Sequence, residues 1–161
     1  DIIVKGGRKS VFGHKINLAT GRSNLVLHCD VLRGNPSDKT LYPSTLDQVI
    51  ETYDRVPHDS AYDGGFASLS NLRHARSRGV VNVVFNKIVG SLKNQVSSKN
   101  METRLKKWRS GVEANISNIK RGFKLQRCIW KGWAHFQAKV LWSIIAYNIR
   151  VMTKLMLARL L

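Results

Sequence analysis

Acidic residues are scarce in this sequence. Ten Asp and Glu stand against 27 Lys and Arg in 161 residues, a formal net charge of +17. Cysteine is scarcer still. Cys29 and Cys128 are too few and too far apart for a disulfide framework or a zinc cluster, and a reducing, intracellular setting is the default. No signal-peptide pattern follows residue 1, which is Asp rather than Met, so the chain reads as a piece of something longer. An uninterrupted membrane span is also missing. The most apolar stretch, Val140 to Tyr147, is soon broken by Asn148, Arg150, Lys154 and Arg159, short of the ~20 apolar residues a span needs. Low-complexity tracts and internal repeats are absent too. What remains is a hydrophobic fraction of 43%, enough to build a core and too much for disorder, in a length that suits one domain.

The charge is uneven. Residues 1–85 hold 11 basic and 8 acidic residues, whereas residues 86–161 hold 16 basic and 2 acidic. A half with a net charge of +14 collects anions through its long-range field, and nucleic acid is the commonest macromolecular anion. A solvated, solubilising face is the plain alternative. Adsorption of the C-terminal helix to anionic lipid is a third.

Strand signals come first and helix signals later. Phe12, His14, Ile16 and Leu18 alternate at period two. A turn at Gly21-Arg22-Ser23-Asn24 leads to a second strand, Leu25 to Val31, and so to an antiparallel hairpin. Gly34-Asn35-Pro36 breaks the chain. Ser44 and Asp47 resemble a helix N-terminus, with Leu46, Val49, Ile50 and Tyr53 at helical spacing. Pro57 closes that unit. Residues 58–63 form a short polar strand that runs into Asp63-Gly64-Gly65-Phe66. Ser68 caps a short helix that Gly79 ends. Val80 to Phe85 is a buried strand. Residues 86–103 read as a loop, a helix is expected from about Arg104 to Phe123, and a long one from about Ala134 to the C-terminus. The order β-β-α-β-α-β-α-α implies a mixed α/β sheet flanked by helices.

Two carboxylates stand out. Asp63 ends a strand and precedes two glycines, which let the backbone turn sharply and leave the carboxylate open to a bulky ligand. By residues alone, an ordinary turn aspartate of a Tyr-Asp-Gly-Gly hairpin is the favoured reading. Glu113 is the only acid in the last 59 residues. Arg109, Glu113 and Lys120 are spaced i, i+4, i+11 and share one helix face. Leu105, Trp108, Val112, Ile119 and Phe123 form the neighbouring apolar stripe. A surface Arg–Glu pair worth a few tenths of a kcal/mol is the plain reading. The five histidines, at 14, 28, 58, 74 and 135, show no metal-ligand spacing, and no context makes Cys29 beside His28 a nucleophile. Trp130, Trp133, Phe136 and Trp142 have the spacing of helix core, with stacking on flipped bases as the other use.

Taken together, these motifs resemble the DDE transposases of bacterial insertion sequences. The family helix reads Tyr-x2-Arg-x3-Glu-x6-Lys. Arg109, Glu113 and Lys120 match it, while Lys106 stands at the Tyr position. Asp63-Gly-Gly-Phe66, followed by Ser68, Asn71 and Leu72, is similar to the motif of the second aspartate. Phe12-Gly-His-Lys15 resembles the strand before it, and Gly34-Asn-Pro-Ser-Asp38 a Gly-Asn-x-x-Asp turn. Gly132-Trp-Ala-His135-Phe136 and Ala146-Tyr-Asn148 resemble the terminal helix.

The resemblance covers nearly the whole chain. It implies an α/β, RNase H-like fold, a mixed sheet flanked by helices that is incomplete at the N-terminus and ends in a long helix. The whole of 1–161 is then the C-terminal part of one catalytic domain, with a strand-rich part (1–85) carrying Asp63 and a basic helical part (86–161) carrying Glu113. Asp63 and Glu113 would be catalytic metal ligands, for Mg²⁺ or Mn²⁺. Arg109, Lys120, Lys106, Arg121 and Lys124 would bind DNA. The reaction implied is metal-dependent strand cleavage and transfer at the ends of a mobile element. The partner is double-stranded DNA, with a homodimer possible and no membrane, in the nucleoid-associated cytoplasm. The family's first aspartate lies in an Asp-Ser-Thr-like strand, and no such motif precedes the hairpin. The segment like Asp1-Ile-Ile-Val comes well after that aspartate in relatives, so Asp1 is not its counterpart. The chain is therefore expected to be inactive alone, and a non-catalytic DNA-binding remnant is the alternative.

Overall fold

The computed structural model describes residues 2–5, 9–86, 88 and 90–160, with side chains described from Gly13 onward. Asp1 lies outside the described residues. The elements are β1 (Ile2–Lys5), β2 (Lys9–Phe12), β3 (Lys15–Thr20), β4 (Val26–Leu32), α1 (Asp38–Tyr53), β5 (Asp59–Tyr62), a 3₁₀ turn (Gly64–Phe66), α2 (Leu69–Ser77), β6 (Asn82–Phe85), α3 (Lys99–Gly122) and α4 (Trp133–Leu160). The class is mixed α/β, as expected. Among the described residues the strands pair two by two, β1–β2 and β3–β4 antiparallel and β5–β6 parallel, rather than in one mixed sheet. Beyond β5, the bridge that β6 makes among the described residues joins Val83 to Gln95.

The chain divides into two compact units, one of residues 1–35 with 112–161, the other Pro36–Gly111. The first holds the hairpin β3–β4 and helix α4. Its core is Val26, Ile119, Val140, Ile144 and Tyr147, with Ile16, Leu18, Phe123 and Phe136 packed around it. The hairpin turns where the sequence puts it. Asn24 adopts φ 67°, a left-handed conformation that Asn tolerates, and its N–H donates to Gly21 O at 3.0 Å. Helix α4 holds this turn through polar side chains. Tyr147 Oη donates to Asn24 O at 3.0 Å, and the Asn148 amide both accepts from Val26 N and donates to Val26 O at 2.9 Å. The Asn148 side chain thus mimics a strand partner for β4.

The period-two series from Phe12 to Leu18 is not one strand. It breaks at Gly13 and His14, and β2 pairs with β1 instead. The His14 ring leaves the alternation to pack on Trp133 and Phe136, at centroid distances of 5.0 and 4.9 Å.

The second unit surrounds Tyr42, Leu46, Leu72, Ala75, Val80, Val83 and Phe85. All four residues of β6 are fully buried, including Asn82, whose amide donates to Asp59 at 2.7 Å and accepts from Ser97 N at 2.8 Å. Two helix starts lie earlier than expected. Helix α1 begins at Asp38, not Ser44, and Ser44 instead bonds back to Leu41 O at 3.1 Å from within the helix. Helix α3 begins at Lys99, not Arg104, because Ser98 Oγ accepts from Met101 N at 3.1 Å and caps it.

Candidate functional site

Asp63 stands immediately after β5, whose parallel partner β6 is buried throughout. The surrounding chain is not a hairpin. Asp63 caps the 3₁₀ turn, with Oδ1 accepting from Gly64 N at 2.9 Å, and the chain continues into α2. Oδ2 lies 3.1 Å from the Arg109 guanidinium on α3. The carboxylate stays 54% exposed, whereas Arg109 is only 13% exposed. A charge so withdrawn from water needs a partner of opposite sign, and Asp63 supplies one. The sequence pairing of Arg109 with Glu113 leaves this contact out, because Asp63 comes from another element.

Gly65, the second glycine after Asp63, has a structural reason that the sequence does not show. A Cβ at Gly65 would collide with the carboxylate of Asp38, the first residue of α1. The only trace in the sequence is the Gly34-Asn-Pro-Ser-Asp38 turn. Asn71 ties the same region together. Pro43 sits inside α1 and has no N–H to offer the carbonyl of Lys39, four residues before it. Asn71 Nδ2 donates to that carbonyl at 3.0 Å and to Phe66 O at 2.8 Å. Its own N–H is capped by Ser68 Oγ at 3.0 Å, the cap read from sequence. One amide on α2 thus closes the gap that proline leaves in α1 and fixes the turn behind Asp63.

Glu113 and Lys120 lie on α3 beyond Gly111 and so belong to the other unit. Both are exposed. Lys106 is exposed and pairs with Glu102 at 2.6 Å. Arg121 is exposed and donates to Ser117 Oγ at 2.7 Å. Lys124 is exposed just past the helix, at φ 53°. An open hollow of about 530 Å³ is lined by Phe85, Ile88, Leu92, Asn94, Glu102 and Lys106 among others.

Asp59, at the start of β5, has a structural part. Burial raises its carboxyl, but hydrogen bonds from Asn82 and His58 and the charges of His58 and Arg104 outweigh that and hold it below the usual range. Burial and the neighbouring Asp30 push the Cys29 thiol up to about 11, away from the thiolate form that acts as a nucleophile. His28 and His74 lie beside acids, 2.8 Å from Asp30 and 3.0 Å from Asp47. Among the described residues, no three His, Cys, Asp or Glu side chains form a group able to hold a metal. Asp63 and Glu113 offer hard oxygen donors, the type Mg²⁺ takes when it keeps several waters and uses few carboxylates. Trp133 packs with His14 and Phe136, under Arg33 at 4.8 Å from its ring, which makes it packing rather than a stacking platform.

Comparison with curated proteins and with solved structures gave no match. A family model described as Transposase DDE domain matches residues 4–149. The match takes in Asp63, Arg109, Glu113 and Lys120 and most of the chain, and the chain therefore belongs to the DDE transposase family.

Proposed function

We propose that this chain is the C-terminal part of a transposase catalytic domain of RNase H-like fold, which cuts and joins DNA at the ends of its own mobile element. The observation that carries the reading is the family match across residues 4–149, with Asp63 exposed at the end of β5, whose parallel partner β6 is buried. Asp63 and Glu113 would hold divalent ions, Mg²⁺ or Mn²⁺. Such ions activate water or a 3′-hydroxyl and stabilise the leaving oxygen. Arg109 orients the Asp63 carboxylate through their ion pair, and its planar fork can grip a phosphate bidentately. Lys120, Lys106, Arg121 and Lys124 supply exposed positive charge for the DNA backbone, in keeping with a protein that works on the nucleoid. The family's first aspartate, in its Asp-Ser-Thr-like strand, is the one ligand no motif of this chain matches, so on this reading the chain binds DNA and cleaves poorly by itself.

A second reading, a DNA-binding remnant without catalysis, draws on the 16 basic residues against 2 acidic ones in 86–161. One experiment separates the two. Element-end DNA is incubated with the chain and Mg²⁺ or Mn²⁺, alone and with an upstream segment carrying an Asp-Ser-Thr strand. Cleavage that appears only with that segment, and that Asp63→Asn or Glu113→Gln abolishes while binding persists, supports the first reading. Binding without cleavage in both arms supports the remnant. Full-rate cleavage by the chain alone overturns the claim of a missing ligand.

A further inference from the structure

Asp63 rides on a soft piece of chain. Gly64 and Gly65 follow it, and glycine gives up more conformational freedom on folding than any other residue. The bond from Gly64 N to Asp63 Oδ1 ties the carboxylate to that same turn, so the turn itself must be held from behind. The Asp38 carboxylate at the start of α1 lies against Gly65 and leaves no room for a Cβ there. Beside it runs a chain of hydrogen bonds. Phe66 N donates to Asp63 O at 3.0 Å, Phe66 O accepts from Asn71 Nδ2 at 2.8 Å, and the same Nδ2 donates to Lys39 O at 3.0 Å. A carboxamide nitrogen carries two protons, and here each has its own acceptor. Asn71 is buried, and its backbone N–H is held by Ser68 Oγ.

We propose that Asn71 is a positioning residue for Asp63, and that its two amide protons have separate roles. The proton on Lys39 O serves folding, because it replaces the N–H that Pro43 lacks. The proton on Phe66 O serves the site, because it fixes the residue whose N–H holds the Asp63 carbonyl. Asn71 touches no reacting group and acts only through the direction in which Asp63 presents its carboxylate. That carboxylate is 54% exposed, so packing of its own side chain does not set its direction. Arg109 restrains Oδ2 from α3, and the backbone under Asp63 is set from α1 and α2. An error on the order of 1 Å at a reacting centre can cost about a hundredfold in rate, so loss of one bond in this chain reaches the chemistry. The inference rests on the role proposed above for Asp63 in strand cleavage.

Pro43→Ala separates the two protons, and amide NMR of the chain reads the turn directly. In Asn71→Ala the Phe66 amide should exchange with solvent about tenfold faster. The Gly64 amide resonance, which reports the bond to Asp63 Oδ1, should move toward its unbonded position. Adding Pro43→Ala returns an N–H to Lys39 O, so stability to urea should recover in part while both amide signatures stay as in Asn71→Ala. Pro43→Ala alone should leave both at their parent values. Cleavage of element-end DNA, with the upstream segment supplied, should follow the amides and not the stability. The expected result is kcat lower by about tenfold or more in Asn71→Ala and in the double variant, with KM unchanged. Amide signatures that do not change in Asn71→Ala would overturn the proposal. So would signatures and cleavage that recover together with stability, which would leave Asn71 a role in folding alone. If the amides respond as expected and no form of the protein cuts DNA, the role given to Asp63 fails while its positioning by Asn71 stands.

Discussion

Asn71 joins three elements with one side chain. Replacing it by Ala removes the donor to the Lys39 and Phe66 carbonyls, and two part-buried hydrogen bonds are worth about 0.5–1.5 kcal/mol each. Denaturant unfolding of Asn71→Ala should show a loss of that size. Part of it should return in the double variant with Pro43→Ala, because an alanine there regains the N–H that Lys39 O lacks. A cycle without coupling would deny the link between Pro43 and Asn71. Gly65→Ala acts by another route. Its Cβ meets the Asp38 carboxylate, so the variant should lose about 1–3 kcal/mol by overpacking. A thermal midpoint equal to that of the parent protein would show that Asp38 moves aside freely. At Arg109, substitution by Lys should harm DNA cleavage more than conservation of charge suggests, because the fork that meets Asp63 is lost. Equal, mild effects of Arg109→Lys, Glu113→Gln and Lys120→Ala on every assay would reduce these residues to surface charges.

Among the elements, β5 and β6 depend on a carboxylate for their ends. Asp59 receives Asn82 Nδ2 from β6 at 2.7 Å and lies 3.5 Å from Arg104 on α3. Its carboxyl is held low in the folded protein, so the folded state binds a proton less readily than the unfolded chain. The stability this confers is present above the ordinary carboxylate range and is lost as pH falls through the folded value. Glu102 adds to the same acid limb, its carboxyl lowered first by hydrogen bonds from Lys106 and Asn94. Urea titrations at falling pH should therefore show stability dropping below the usual carboxylate range, and Asp59→Asn should flatten that drop. An unaltered acid limb in Asp59→Asn would remove Asp59 from the account.

At the scale of the whole molecule, charge sets the behaviour. Sixteen basic residues against two acidic ones in 86–161 imply DNA affinity that falls steeply with salt. Each neutralised phosphate releases counterions, with a log–log slope of about −0.9 per contact on duplex DNA. Lys120→Ala should weaken binding and lower the slope by about one contact, whereas Glu113→Gln should leave binding unchanged or slightly stronger. Fluorescence anisotropy at several salt concentrations measures both. Affinity indifferent to salt would remove the electrostatic argument. Helix α4 brings its own consequence. By length and composition alone its 28 residues are long and apolar enough to cross a membrane, with a mean hydropathy of 1.3 over its most apolar stretch. Its packed face in the core places at least that side against protein.

The sequence by itself determined the family, the mixed α/β class and the identity of most elements. Their signals are local. The Ser68 cap, the turn closed by Asn24, the stripe with Leu105 and Ile119 and the spacing of Arg109, Glu113 and Lys120 all lie within a few turns of chain. Only the tertiary structure decided where α1 begins, since its proline is tolerated through an amide from α2, 32 residues from the carbonyl it satisfies. It also decided that Gly65 makes room for Asp38 and that Arg109 meets Asp63. Period-two alternation could not show that Phe12 and Ile16 belong to different strands, because the break depends on the His14 ring finding Trp133 on α4. In each case the deciding atom belongs to an element far along the chain, and spacing within one element carries no information about it.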